Sequence, residues 1–434
     1  MKKTILYVSL TLAMYSSHVS AKEVFTVDQL ILESLKNAPD LQISKLQYDA
    51  STSRYNTASS EYLPSVNLTA STGRVAQSAI FNANGDVQNN ILKGELSLKQ
   101  LLYDFGKTQG RTATQKFAAD SYSMQNMQNI ANKKQNVKSA YYDVLKSLAL
   151  INVQKENVQL NKAQLYRSKR YFQAGIRTKI DVSDAKVQLI QAKLDLKTAE
   201  YNLKLSYANL DKIVGFTALE NDYAVYSKKL ELDKLYQSLK EYDLNLHNAI
   251  LYAYQNRFDI KKEQALMQSK QADIRTTKAE YYPALYLGAN YLYQKAQSKE
   301  LQLFLPETQW SAMLNLNWNI YQGGATDSKT QEKSINATIS SVQLANTKLI
   351  IKASVTDAYI NVYKSKDTVE LAQSLVDISN EKFDQASKRY EHGLSDYIEL
   401  QEARQGYINS KAILVVDYYD YYIAVAKLDN AIGK

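Results

Sequence analysis

The sequence predicts a mainly α-helical protein with a transmembrane β part, built from a duplicated unit of two strands plus a long helical hairpin. Three observations carry this expectation. The chain matches itself at one offset, two long stretches lack helix breakers, and two pairs of segments alternate apolar and polar residues. With 13 Gly and 4 Pro in 434 residues, the chain is poor in the residues that end helices.

Residues 1–21 come first and read as a signal peptide. Lys2 and Lys3 open it, Ile5–Tyr15 is mostly apolar, and Val19-Ser20-Ala21 has the small residues of a cleavage site. The apolar run is shorter than the ~20 residues a helical span needs. The chain contains no cysteine, which excludes disulfides, thiolate metal sites, thiol nucleophiles and a lipid-anchored N-terminal cysteine. Removing residues 1–21 leaves +7 of the formal +9 charge. That charge is spread along helical stretches, which predicts solvated faces and no nucleic-acid partner.

The remainder is two copies of one unit. An offset of 218 pairs Ala140 with Ala358, Tyr141 with Tyr359, Val144 with Val362, Gly175 with Gly393, Asp211 with Asp429 and Gly215 with Gly433. One residue of slippage brings Asp40 onto Asp259 and Pro64 onto Pro283. The first repeat is expected over 22–215 and the second over 235–434, with a linker or equatorial segment at 216–234.

Each repeat opens with a helix and passes into two strands. In the first, Val66, Leu68 and Ala70 alternate after Pro64, and Leu92, Gly94, Leu96 and Leu98 alternate against Lys93, Glu95, Ser97 and Lys99. Period two with one apolar face predicts strands near 64–76 and 91–103. The second repeat gives strands near 283–294 and 310–321 by the same pattern. Polar loops join the partners, with Asn84-Gly85 as a turn signal.

A helical hairpin closes each repeat, over 107–214 and 325–432. Neither Gly nor Pro occurs between Gly110 and Gly175, nor from Ala325 to His392. A helix over Lys107–Ala174 would be roughly 100 Å long. Apolar residues recur every seven positions, at Val137, Val144, Ile151, Val158, Leu165 and Phe172, and again at Val355, Val362, Val369, Val376, Phe383 and Tyr390. Such a seam needs a partner helix, and the obvious one is the helix that returns after the glycine. Lys155, Lys162 and Lys169 make the seam polar near the turn, so that end is expected to be more solvated. Gly175 and Gly393 are expected to be left-handed helix ends that permit the reversal.

Enzymatic chemistry has little to stand on. The three histidines, at 18, 247 and 392, have no metal-ligand spacing, and no phosphate-binding loop occurs. No enzyme, cofactor or metal is expected. The strands are more informative, because their length suits a tilted membrane-spanning strand. Trp310 and Trp318 share a face, roughly 26 Å apart at ~3.3 Å per residue, which suits aromatic girdles at two membrane interfaces. The alternative is a pair of core tryptophans. Four strands cannot close a barrel when the smallest have ~8, and membrane edges must be paired, so the chain must oligomerise. Strand number alone permits a dimer or a trimer.

Together these features resemble the TolC family of outer-membrane efflux proteins across essentially the whole mature chain. The resemblance rests on the duplicated order of elements and on four short segments. Leu102-Tyr-Asp-Phe-Gly106 and Ile320-Tyr-Gln-Gly-Gly324 lie where strand passes to helix, and Phe172-Gln-Ala-Gly175 and Tyr390-Glu-His-Gly393 lie at the turns. It implies a homotrimer with a 12-stranded β-barrel in outer-membrane lipid, continued by a periplasmic α-barrel. It also implies a periplasmic adaptor and an inner-membrane pump of RND or ABC type as partners. The matching periplasmic gate positions are Asp181, Asp184, Glu399, Glu402, Tyr390 and Ser395, with Arg177 in the first repeat. Ser395 stands where an arginine link occurs in the family. Helix capping is the competing reading of the acids, since Thr178-x-x-Asp181 fits a capping box. The expected function is a passive exit duct of a tripartite efflux system. The alternatives are the duct of a type I protein secretion system and a non-conducting coiled-coil envelope protein with its strands buried on helices.

Overall fold

The helices of the two repeats have the same lengths. The computed structural model describes residues 23–77, 87–217, 223–227, 235–239, 241–242, 244–297, 302 and 305–434. In chain order these form β1 (Glu23–Phe25), α1 (Val27–Asn37), α2 (Pro39–Ser59), β2 (Ser65–Gln77), β3 (Val87–Tyr103), α3 (Lys107–Gln173) and α4 (Lys179–Val214). The chain continues with β4 (Tyr223–Val225), α5 (Leu246–Asn256), α6 (Phe258–Lys278), β5 (Ala284–Ala296), β6 (Thr308–Asn317), α7 (Ala325–Glu391) and α8 (Tyr397–Ile432). Helices α1 and α5 have 11 residues each, α2 and α6 have 21, α3 and α7 have 67, and α4 and α8 have 36. Agreement at four pairs of elements is what a duplicated unit requires. Residues 1–21, the Asn84-Gly85 turn and most of 216–234 lie outside the described residues.

The chain forms two compact units. One ends its first segment at Asn37 and adds 136–238 and 369–420; the other comprises 38–135, 239–368 and 421–434. Helices α3, α7 and α8 contribute residues to both.

The second unit holds a four-stranded antiparallel sheet in the order β2-β3-β5-β6. Its register lines up one face. Leu68, Leu96, Tyr291 and Trp310 form a row, and Val66, Leu98, Ala289 and Ala312 form the next. The opposite face carries Asn67, Ser97, Asn290 and Ser311. On the apolar face Leu68 is 77% exposed, Leu314 63% and Leu316 64%. A non-conducting coiled-coil protein would bury this face on helices, and it does not.

Strand β6 ends at Asn317, short of the expected Tyr321. Its partner β5 begins at Ala284, directly after Pro283, which has no N–H to continue the ladder. Trp318 therefore leaves the strand, and its indole Nε1 donates to the Tyr281 carbonyl at 3.1 Å. Here α3 also passes close to α6. A Cβ on Gly110 would stand 2.6 Å from Thr276 Oγ1 and 2.9 Å from its backbone N.

In the first unit β1 pairs in parallel with β4, and the hairpin ends pack side by side. Ser147 and Ser206 hydroxyls meet at 2.8 Å and join α3 to α4. Lys146 donates to Asp420 at 2.9 Å, joining α3 to α8, and Ser379 meets Ser410 at 2.6 Å between α7 and α8. The lateral order is therefore α4-α3-α8-α7. Away from the turns the seven-spaced seam is buried, with Val137, Val144 and Val369 inaccessible to solvent.

Two glycines give opposite expectations for the same substitution. Gly110→Ala overpacks the α3–α6 contact and lowers stability by about 1–3 kcal/mol. Gly406→Ala meets nothing within 4 Å in α8 and raises stability by about 0.5–1 kcal/mol. Thermal denaturation in detergent distinguishes the two.

Candidate functional site

The two hairpin turns have the same backbone path and lie side by side. Gly175 and Gly393 both take φ +72, a left-handed conformation that favours glycine. No atom lies within 4 Å of a Cβ built at either, so the requirement is conformational. In the first turn Ile176 N–H donates to the Tyr171 carbonyl at 2.9 Å. In the second, Leu394 N–H donates to the Arg389 carbonyl at 2.8 Å. Each bond spans five residues and closes the helix end as a Schellman motif does.

The helices that follow are capped differently. Asp181 N–H donates to Thr178 Oγ1 at 3.4 Å, and Thr178 N–H donates to Asp181 Oδ2 at 3.2 Å. This is a complete capping box, so the Asp181 carboxylate is engaged locally. In the second turn Asp396 is the cap, accepting from Glu399 N–H at 2.9 Å. Glu399 is left to pair with Arg389 at 3.3 Å. Asp184 and Glu402 stand exposed beyond both caps.

Arg177 links the turns. Its guanidinium carbon lies 4.7 Å from the Tyr390 ring centroid, and Nη2 donates to the Ser395 carbonyl at 3.0 Å. Arg177 of the first repeat thus reaches over to the Ser395 backbone of the second. A cation over an aromatic face is worth ~0.5–1 kcal/mol when exposed and ~2 kcal/mol when desolvated. Arg167 adds a second tie to Glu391 at 2.5 Å. Beneath these, Tyr390 and Tyr397 are buried with Leu400, Ala403, Ala386 and Ala185. Burial raises both phenol pKa values, so they stay protonated.

The sequence reading missed the interior of this end of the unit. Lys155, Lys162 and Lys169 do face solvent. The seam opens toward the turn as expected, with Phe172 44% exposed, but Asn157, Asn161, Gln164 and Ser168 on the opposite face of α3 are buried. Helix α8 covers that face. Lys411 of α8 lies 2.5 Å from Glu156, and Arg404 is also buried. Burial pulls the Lys411 pKa down, but the Glu156 hydrogen bond and charge more than offset it, leaving the ammonium above its ordinary value. The amides satisfy one another in part, with Asn161 Nδ2 donating to Asn157 Oδ1 at 2.9 Å. Their 4-3-4 spacing was readable as a helix face; that it was covered was not.

In the sheet unit the two tryptophans stand apart. Trp310 sits in β6, level with Tyr291, and Trp318 lies past the strand end. Aromatic side chains crowd the strand-to-helix passages, with Tyr62, Tyr103, Phe105, Tyr281 and Tyr282 all exposed. Phe105 holds φ +55, unusual for a non-glycine residue, and stacks on Tyr282 at 5.0 Å.

The family profile described as "Outer membrane efflux protein" matches residues 30–216 and 250–434. Outer membrane protein TolC of Escherichia coli K12 is 23% identical over 450 residues, covering 100% of this chain and 87% of that protein. The probable efflux pump outer membrane protein TtgC of Pseudomonas putida is 22% identical, covering 94% of this chain and 82% of its own. Among solved structures, the Campylobacter jejuni CmeC outer membrane channel superposes with a TM-score of 0.81 at 17% identity, covering 100% of this chain and 94% of that one. VceC of Vibrio cholerae gives 0.78 at 15% identity, covering 94% and 96%. These likenesses show a shared fold.

Thr178→Ala removes the capping box and costs about 1 kcal/mol. Amide hydrogen exchange should quicken in the first turn of α4 and stay unchanged in the first turn of α8.

Proposed function

The chain belongs to the outer membrane efflux protein family, and on that premise we propose that three copies assemble into the outer-membrane exit channel of a tripartite efflux system. The observation that carries this reading is the sheet, with one apolar face in register across four strands and two unpaired edges. Strand directions alternate, so β6 of one copy can pair antiparallel with β2 of the next. Three copies make a closed ring of about 12 strands, within the range of transmembrane barrels. The apolar face meets lipid and the polar face lines the lumen. Trp310 with Tyr291 marks one membrane interface, and Trp318 with Tyr103 and Tyr282 marks the other.

The helical hairpins continue the channel into the periplasm, where the paired turns form its gate. Asp184 and Glu402, exposed and outside the caps, supply the acidic ring. Asp181 and Glu399 serve chiefly to fix the turns. The Arg177 link holds the two turns of each copy together in the resting state. A periplasmic adaptor and an energised inner-membrane pump, of RND or ABC type, complete the assembly. The signal peptide, residues 1–21, directs export.

Planar-bilayer recording of the purified protein tests this. We expect discrete cation-selective steps that added divalent cations block from the turn side. Asp184→Asn with Glu402→Gln should lower both selectivity and block, because a ring of carboxylates is what concentrates cations at a narrow mouth. Arg177→Ala should raise the conductance of the resting channel. Folded protein that never inserts would overturn the channel reading.

A further inference from the structure

The apolar face of the sheet carries charge at one end only. Among the described strand residues it holds two charged side chains, Arg74 and Lys295, both cationic and both exposed. The polar face, by contrast, mixes Lys93, Glu95 and Lys99. Glu307, just before β6, has the parity of that polar face. Neither Arg74 nor Lys295 makes a salt bridge among the described residues.

Register fixes how far out these cations stand. Leu285 of β5 lies level with Tyr103 and Leu316, at the end where strands pass to helices, and Lys295 follows ten residues later. At ~3.4 Å per residue that is roughly 34 Å along the strand. A tilt of ~35–45° reduces it to roughly 25 Å of height, the height of the apolar band on a transmembrane barrel. Tyr291, Tyr293 and Trp310 lie just inside this outer level. Arg74 stands one row further out, paired with Asn90, whose carbonyl accepts from Gln297 N–H at 2.9 Å. Two strand spacings of ~4.8 Å and one two-residue step of ~6.8 Å set the Arg74 and Lys295 Cα atoms roughly 12 Å apart. The cations therefore sit at the edge of the lipid band that lies away from the helices.

We propose that Arg74 and Lys295 bind the phosphorylated headgroup of a glycolipid in the outer leaflet, whose acyl chains lie on the leucine face below. The inference rests on the channel reading above and names a lipid contact of its barrel. A cation on a lipid-facing wall escapes hydrocarbon only by reaching outward, into the headgroups. A guanidinium meets phosphate with two parallel hydrogen bonds, and an ammonium adds a point charge. At their separation the two side chains reach different phosphates, so a headgroup that carries two is held at both ends. Between them Asn90 Nδ2 donates to Gln297 Oε1 at 2.8 Å, and the remaining amide groups suit sugar hydroxyls.

Lipid retention by the full-length protein tests this. The protein is reconstituted in phosphatidylcholine vesicles containing either bis-phosphorylated lipid A or its dephosphorylated form. It is then repurified, and bound lipid is counted by mass spectrometry. The phosphorylated form should be retained roughly tenfold or more over the other, since each cation near an anionic surface contributes several-fold. Arg74→Gln with Lys295→Gln should abolish the preference, Lys93→Gln on the lumen face should leave it intact, and Arg74→Lys with Lys295→Arg should keep most of it. Circular dichroism and bilayer conductance check that each variant folds and inserts. Equal retention of the two lipids, or a preference that survives in the doubly neutralised protein, would mean that the cations reach only water and would overturn the site. Displacement of the lipid by inorganic phosphate would overturn the glycolipid assignment in favour of a free-anion site. Wild-type protein that inserts without any preference defeats this site alone, whereas protein that enters no vesicle defeats the channel reading as well.

Discussion

A backbone N–H or C=O left unpaired in hydrocarbon costs several kcal/mol, and β2 and β6 each present a row of them along the sheet edge. A sheet with an outward apolar face in register needs lipid on that face. The same lipid cannot tolerate the two edges. Both demands are met only when copies join edge to edge, so the membrane location of the family and the oligomeric ring are one requirement seen from two sides. The alternation of strand direction makes the joint possible without a new kind of pairing.

The helical unit obeys a different balance. Far from the turns the seam holds aliphatic residues such as Val137, Val144 and Ile151, each contributing roughly 1.5–3 kcal/mol on burial. Nearer the turns the interior changes to Asn157, Asn161, Gln164 and Ser168, where a satisfied hydrogen bond nets only ~0.5–1.5 kcal/mol. Adhesion between hairpins therefore dips at this polar belt and recovers beneath the turns, where Tyr390, Tyr397 and Leu400 are buried. The specific ties made by Arg177 and Arg167 lie over that apolar cluster.

Much of this was legible in the residues themselves. Period-two alternation marked the strands, seven-residue spacing marked the seams, and the offset of 218 marked the duplication, because each is a local periodicity. What depended on distant neighbours was not legible. The contact of Glu156 with Lys411 joins residues 255 apart. The end of β6 was fixed by Pro283 on its partner strand, and the covered face of α3 by a helix from the other repeat. Arg177 was noticed as a counterpart of Ser395, yet nothing local indicated that its guanidinium would reach Tyr390. Phe105 gave no sign of its left-handed backbone, since the second repeat uses Gly323 at that point.

The matched helix lengths act as a gauge. An α-helix advances ~1.5 Å and rotates ~100° with every residue, so one residue added to α3 alone would raise its turn and swing it round. Arg177 would then miss Ser395, although every side chain in both turns remained. Seven residues removed from α3 would restore the angle and still leave the levels roughly 10 Å apart. Length changes in the long helices can persist only when both repeats change together. Point substitutions along them face no such condition, so sequence can drift widely in this fold while helix length stays fixed.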